Sequence, residues 1–267
     1  MTAIGFAASL PVWGGAVPAL AGPVSITPTQ VTLAARNATE LITVLNEGDA
    51  LARFEITVSA WSESEDGQTR LAPAADILVF PPLLELAPHG MAKIRLGAAI
   101  SPGAGERAYR MVIQEIPSSV PPPGRAQIQV LTKISIPVFL AAPGGQPALT
   151  IEGARIEDGK LAFAIANGGT AHELVRRVEV TGQGKAGPSF DVGENGWYIL
   201  AGGRRDYRVA LAGRDCAATS QIAIAALGEG AKAEAGMQVP VASSGCAPGE
   251  QTRFVASSLE KAPHAPP

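Results

Sequence analysis

The chain has too little of several things to be most kinds of enzyme or nucleic-acid binder. Its 267 residues include three histidines, His89, His172 and His264, set far apart in a turn, a loop and the C-terminal stretch. A metal centre needs clustered ligands. The two cysteines, Cys216 and Cys246, form no Cys-x-x-Cys pair, which argues against a dithiol redox centre or a cysteine zinc site. Positive charge is not in excess: 21 Lys and Arg against 24 Asp and Glu give a net charge of −3, whereas a nucleic-acid binder carries a basic stripe. No Gly-x-Ser-x-Gly elbow and no glycine-rich phosphate loop closed by Lys-Ser/Thr occurs, and no pair of acids stands out. The sequence therefore predicts no catalytic residues, no metal and no cofactor. Trp61 and Trp197 read as core or rim residues rather than sugar platforms. The pairs Arg176-Arg177 and Arg204-Arg205 read as solvated surface.

Long apolar runs are also scarce, with one exception at the start. Residues 1–21 contain no charged side chain and end in Ala19-Leu20-Ala21 before Gly22. That small-x-small ending resembles a signal-peptide cleavage site, although a positive n-region is missing. A membrane anchor is the alternative, but Pro11, Gly14, Gly15 and Pro18 make a poor spanning helix. Export is the expectation, and an even cysteine count in an exported chain favours one disulfide, Cys216 to Cys246, over two free thiols.

What the chain has in quantity is turn residues, 30 Gly and 22 Pro, around short apolar segments. The most telling stretch is a predicted hairpin, 109–116 followed by 126–140. Ile128, Val130, Ile134 and Ile136 alternate with polar Gln127, Gln129, Lys133 and Ser135, the pattern of a half-buried strand. Its apolar face needs a cover, from this chain or from another. Upstream, about seven short strands with turns every ten residues or so predict an immunoglobulin-like sandwich. Residues 141–147 read as a linker. A second β-rich block follows. The expected organisation is all-β: a signal peptide (1–21), one immunoglobulin-like domain (22–142), a second (147–246) and a disordered tail (247–267).

Certain segments resemble a known family. Pro81-Pro82-x-x-x-Leu86-x-Pro88-x-Gly90 running into Lys93–Leu96, then Tyr109-Arg110 with Glu115-Ile116-Pro117, then Thr132–Phe139, look like a periplasmic pilus-assembly chaperone of the chaperone–usher pathway. Asn167-x-Gly169-x-x-His172 and Leu200-Ala201-Gly202-Gly203 are similar to that family's second domain. The Tyr-Arg and Ser-Ile-Pro-Val-Phe forms look closest to the archaic, spore-coat-U-type branch. The resemblance implies two immunoglobulin-like domains set as an L. It also implies a pilin-like or spore-coat-U-like secreted subunit as partner, delivery to an outer-membrane usher, and a periplasmic location. It further implies donor-strand complementation, in which the chaperone strand fills the open groove of the subunit, a known form of strand addition. Ile128 and Val130 are the expected donors, with Ala126 and Thr132 at the margins. The alternative is that these residues fill this domain's own core. A two-domain surface or adhesion module, its hairpin fully covered, is the competing reading of the whole chain.

The resemblance also exposes departures. The family anchors the subunit's terminal carboxylate with an Arg in the first strand and a Lys late in the donor strand, and those positions here are Gln30 and Ser135. Arg110 is the first replacement candidate and Lys133 the second, with Gln30 at the same site. The alternatives are a salt bridge from Arg110 to Glu115 and an exposed edge-strand role for Lys133. Phe139 takes the place of the family's interdomain Arg, which leaves the partner of Glu115 unnamed.

Overall fold

Alternation becomes strand wherever one face can be buried. Phe54 and Ile56 point inward while Glu55 and Thr57 face out, and the same phase recurs in each long strand of the first sandwich. The computed structural model describes residues 24–64, 68–117, 130–228, 233–241, 246 and 253–256. The proposed signal peptide and the donor positions Ala126 and Ile128 lie outside them.

The first sandwich contains β1 (Val24–Thr27), β2 (Val31–Leu33), β3 (Thr39–Asn46), β4 (Ala52–Glu63), β5 (Thr69–Pro73), β6 (Ile77–Phe80), β7 (Leu83–Leu86), β8 (Met91–Ala98), β9 (Arg107–Glu115) and β10 (Lys133–Leu140). One sheet runs β1-β3-β8-β6 and the other β2-β10-β9-β4-β5, with β7 also on β4. Among the chain's crossings from one sheet to the other, that between β1 and β2 runs beside Pro28 and that between β6 and β7 beside Pro81 and Pro82. Proline has no N–H to give a ladder, so it suits these crossings. Ile42, Val44, Phe54, Ile94, Leu96, Met111 and Ile113 fill the core between the sheets, each such side chain contributing roughly 1.5–3 kcal/mol.

The second sandwich contains β11 (Leu149–Glu157), β12 (Lys160–Asn167), β13 (Glu173–Leu174), β14 (Arg177–Gly184), β15 (Gly187–Asn195), β16 (Tyr198–Ile199), β17 (Arg204–Ala210), α1 (Gly213–Ala218), β18 (Gln221–Leu227), β19 (Ala233–Pro240) and β20 (Arg253–Ala256). Its sheets run β11-β12-β17-β20 and β15-β14-β18-β19, with the small pair β13-β16 beside them. The expected disulfide is present: Cys216 of α1 bonds Cys246. The expectation of a disordered tail from 247 fails at Arg253–Ala256, which add a strand to the open edge of β17. Among the described residues no helix is long and apolar enough to cross a membrane. The fold is all-β with two immunoglobulin-like sandwiches.

Candidate functional site

β10 is paired unevenly, and that makes it the place to look. β9 covers it along its whole length, Lys133 to Leu140. On the other side β2 reaches only Val138–Leu140. Residues 133–137 therefore keep an open edge among the described residues, able to take a further strand. The alternating face has a split answer. Ile134 and Ile136 pack into this domain's own core. Val130, in the same phase but beyond the sandwich, is 47% exposed. Thr132 continues the ladder by one step: Glu115 N donates to Thr132 O at 2.8 Å, and Thr132 N donates to Glu115 Oε2 at 2.9 Å. That hydrogen bond is what Glu115 does, in place of an ion pair with Arg110.

The outward face of this sheet turns toward the second domain. Tyr109 and Arg110 point opposite ways, as neighbours in a strand must. Tyr109 enters the core and its hydroxyl donates to Asp76 at 2.7 Å; burial and then that carboxylate push its pKa up to about 12. Arg110 enters the cleft face opposite Ser59 and Pro137. It is only 7% exposed, and its Cζ stands 3.7 Å from the Trp61 ring centre, 5.4 Å from Trp197 and 5.8 Å from Tyr198. Burial lowers its pKa, against a smaller opposing pull from the Tyr198 phenol. Among the described residues no acid pairs with it. A buried cation without a counter-charge is costly; a close aromatic face offsets about 0.5–2 kcal/mol of that. Arg110 is thus a largely buried cation whose described neighbours are aromatic rings.

Gln30 stands one residue before the short β2–β10 ladder and accepts a hydrogen bond from the Tyr198 hydroxyl at 2.8 Å. It therefore meets Arg110 through a shared neighbour. Lys133 does not join them. It shares the face, but its partner Gln114 lies four residues along β9 from Arg110, about 13 Å at strand spacing.

The sequence reading missed how the second domain closes this site. Phe139 stacks on His172 with centroids 3.5 Å apart. His172 donates its backbone N–H to Glu106 Oε1 at 2.9 Å, and its Nδ1 lies 2.7 Å from the same oxygen. The junction acid is therefore Glu106, not Glu115. Glu63 accepts from Leu200 N at 3.1 Å beside a hollow of about 320 Å³ lined by both domains. Its neighbour Arg205 is buried, which corrects the reading of Arg204-Arg205 as solvated; Arg204 does face out, against Asp206.

Two domains, an open strand edge and a cleft between them have close parallels. Residues 23–145 match the family model described as pili and flagellar-assembly chaperone, PapD N-terminal domain. The first sandwich thus matches the N-terminal domain of pilus-assembly chaperones. Solved chaperones share the fold. A chain in the CsuC–CsuE chaperone–tip subunit pre-assembly complex of Acinetobacter baumannii is 17% identical, with 70% of this chain and 92% of that one covered and a TM-score of 0.51. The E. coli chaperone DraB is 16% identical over 83% of this chain and 100% of its own, TM-score 0.52. The Salmonella enterica SafA pilin–SafB chaperone complex contains a chain 12% identical over 82% and 97%, TM-score 0.53. No curated protein matches the chain. In this chain the cleft cation comes from β9, and aromatic rings from both domains surround it. Trp61 and Tyr198 had no local sequence signal pointing at Arg110, because the strands that carry them meet only in the folded chain.

Proposed function

We propose that this chaperone binds a pilin-like or spore-coat-U-like secreted subunit in the periplasm, after export with a cleaved signal peptide. It lends the subunit a strand from the segment leading into β10 and hands it to an outer-membrane usher. The observation that carries the reading is Arg110, a buried cation with no acid beside it among the described residues, on the face of a strand whose edge is open among them. A chain end entering the cleft brings both missing parts. Its main chain adds to the free edge of residues 133–137, and its terminal carboxylate reaches the guanidinium. Ala126, Ile128, Val130 and Thr132 are the proposed donors, their side chains filling the subunit's groove at every second position. The paired Tyr-Arg and Ser-Ile-Pro-Val-Phe forms make the archaic branch the preferred assignment.

The test is co-expression of the chain with a small exported subunit encoded beside it. The expected result is a one-to-one complex and a subunit that is insoluble alone. Arg110→Ala removes a charge-assisted contact of roughly 1.5–3 kcal/mol, so affinity falls about ten- to a hundredfold. A subunit that stays soluble without this chain, or a complex indifferent to Arg110→Ala, contradicts the reading.

A further inference from the structure

Three rings frame Arg110, and Trp197 is the most open to solvent. Trp61 is buried against Phe139 and Tyr198. Tyr198 is tied to Gln30. Trp197 is 43% exposed, with its ring edge-on to Tyr198 at 5.9 Å. A single exposed tryptophan is not remarkable by itself; its backbone and its place are. Val175 N donates to Trp197 O at 3.2 Å, and Gly196 N donates to Arg176 O at 2.9 Å. A Cβ on Gly196 would collide with the Val175 carbonyl oxygen, so the residue before Trp197 must stay glycine. The chain thus pins an apolar ring in solvent, beside a cation that makes no hydrogen bond or ion pair among the described residues. The guanidinium nitrogens are not among the buried atoms that lack a partner, so they keep an edge toward solvent.

A terminal carboxylate and the side chain of the same residue leave one Cα. A carboxylate held at the open edge of Arg110 therefore carries its own side chain to within a few ångströms of the guanidinium's surroundings. On the first-domain side those surroundings are the short side chains Ser59, Val112 and Ser135, the ring of Pro137 and the buried rings of Trp61 and Phe139. On the second-domain side they are Tyr198, tied to Gln30, and Trp197. The aromatic ring among them that is open to solvent is that of Trp197.

We infer that Trp197 is the specificity determinant of this anchor. It packs against the last side chain of the bound chain and selects a free carboxylate terminus whose final residue is large and apolar or aromatic. The inference rests on the reading of Arg110 as the carboxylate anchor. Pinning the Trp197 backbone in advance lowers the ordering cost of that contact, and an aromatic partner gains from offset or edge-on packing.

The experiment uses the whole chain and two extended peptides of identical alternating sequence, one ending in Phe and one in Ala, each with a free and an amidated C-terminus. Binding is followed by calorimetry. The unmodified chain is expected to bind the Phe-ended carboxylate about tenfold more tightly than the Ala-ended one. Trp197→Ala should bring the two together by weakening the Phe-ended peptide, and Trp197→Phe should keep most of the preference. Amidation or Arg110→Ala should weaken both. Equal affinities in the unmodified chain, or a Trp197→Ala loss equal for both peptides, overturns the role of Trp197 and leaves the anchor standing. Binding that ignores both amidation and Arg110→Ala, or no binding of any peptide, overturns the anchor itself.

Discussion

Asn46 and Asn167 perform the same task in the two sandwiches. Asn46 ends β3 and Asn167 ends β12, and each is almost wholly buried. Asn46 Nδ2 donates to Ala50 O at 2.8 Å and Ala87 O at 3.0 Å, and its Oδ1 accepts from Gly48 N at 3.1 Å. Asn167 Nδ2 donates to Ala171 O at 2.8 Å and Ile199 O at 3.0 Å, and its Oδ1 accepts from Gly169 N at 3.0 Å. One amide therefore ties a turn to a strand far away in sequence. Truncation leaves buried backbone groups unpaired, at about 1–3 kcal/mol each. Asn46→Ala and Asn167→Ala should each destabilise the folded chain by roughly 3 kcal/mol or more, read as a lowered denaturant midpoint. A change below about 1 kcal/mol, the worth of one ordinary hydrogen bond, would contradict the bridging role. The Asn-Glu-Gly and Asn-Gly-Gly turns were legible from their residue types. The bridge was not, since Ala87 and Ile199 lie 41 and 32 residues from the asparagines that bind them.

Elements differ in how plainly the chain announces them. β3, β4, β8, β9 and β12 bury one face against a core, so their alternation is clear in the sequence. β5 is exposed at every position and β15 is buried at none. Both are edge strands held by main-chain bonds to one neighbour, and an edge needs no hydrophobic code. The six-residue helix α1 was also unreadable, because so short a segment has no period to detect. Its value is positional: it carries buried Cys216, whose bond to Cys246 closes a loop around β18 and β19. With the cysteines 30 positions apart in sequence, the chain-entropy model gives about 3–4 kcal/mol. Reduction, or Cys216→Ala with Cys246→Ala, should lower the melting transition of the second sandwich and leave that of the first in place. Calorimetry that shows both transitions moving together, or neither, would count against this assignment.

The two-domain plan was legible because each sandwich has its own core and a Pro/Gly-rich segment between them. The junction was not, because its parts come from β4, β9, β10, β16 and the turn at 200–203, and no local pattern joins them. One of those parts gives the whole molecule a pH response. Glu63 reaches from β4 to the Leu200 N–H of the other domain, and a Cβ at Gly203 would strike its Oε2. Burial pushes the Glu63 pKa up to about 7, against the opposing pull of the Leu200 hydrogen bond and of Arg205. The folded chain thus holds a proton at Glu63 between about pH 4.5 and about 7, where the unfolded chain has released it. The unfolded state binds fewer protons there, so stability conferred through Glu63 falls as pH rises across that window and is level above it. Glu63→Gln keeps an oxygen for Leu200 N and removes the titration. Its melting temperature relative to the unmodified chain should climb from pH 4.5 to pH 7 and then stay constant. Parallel pH profiles for the two proteins would show that Glu63 does not govern the junction.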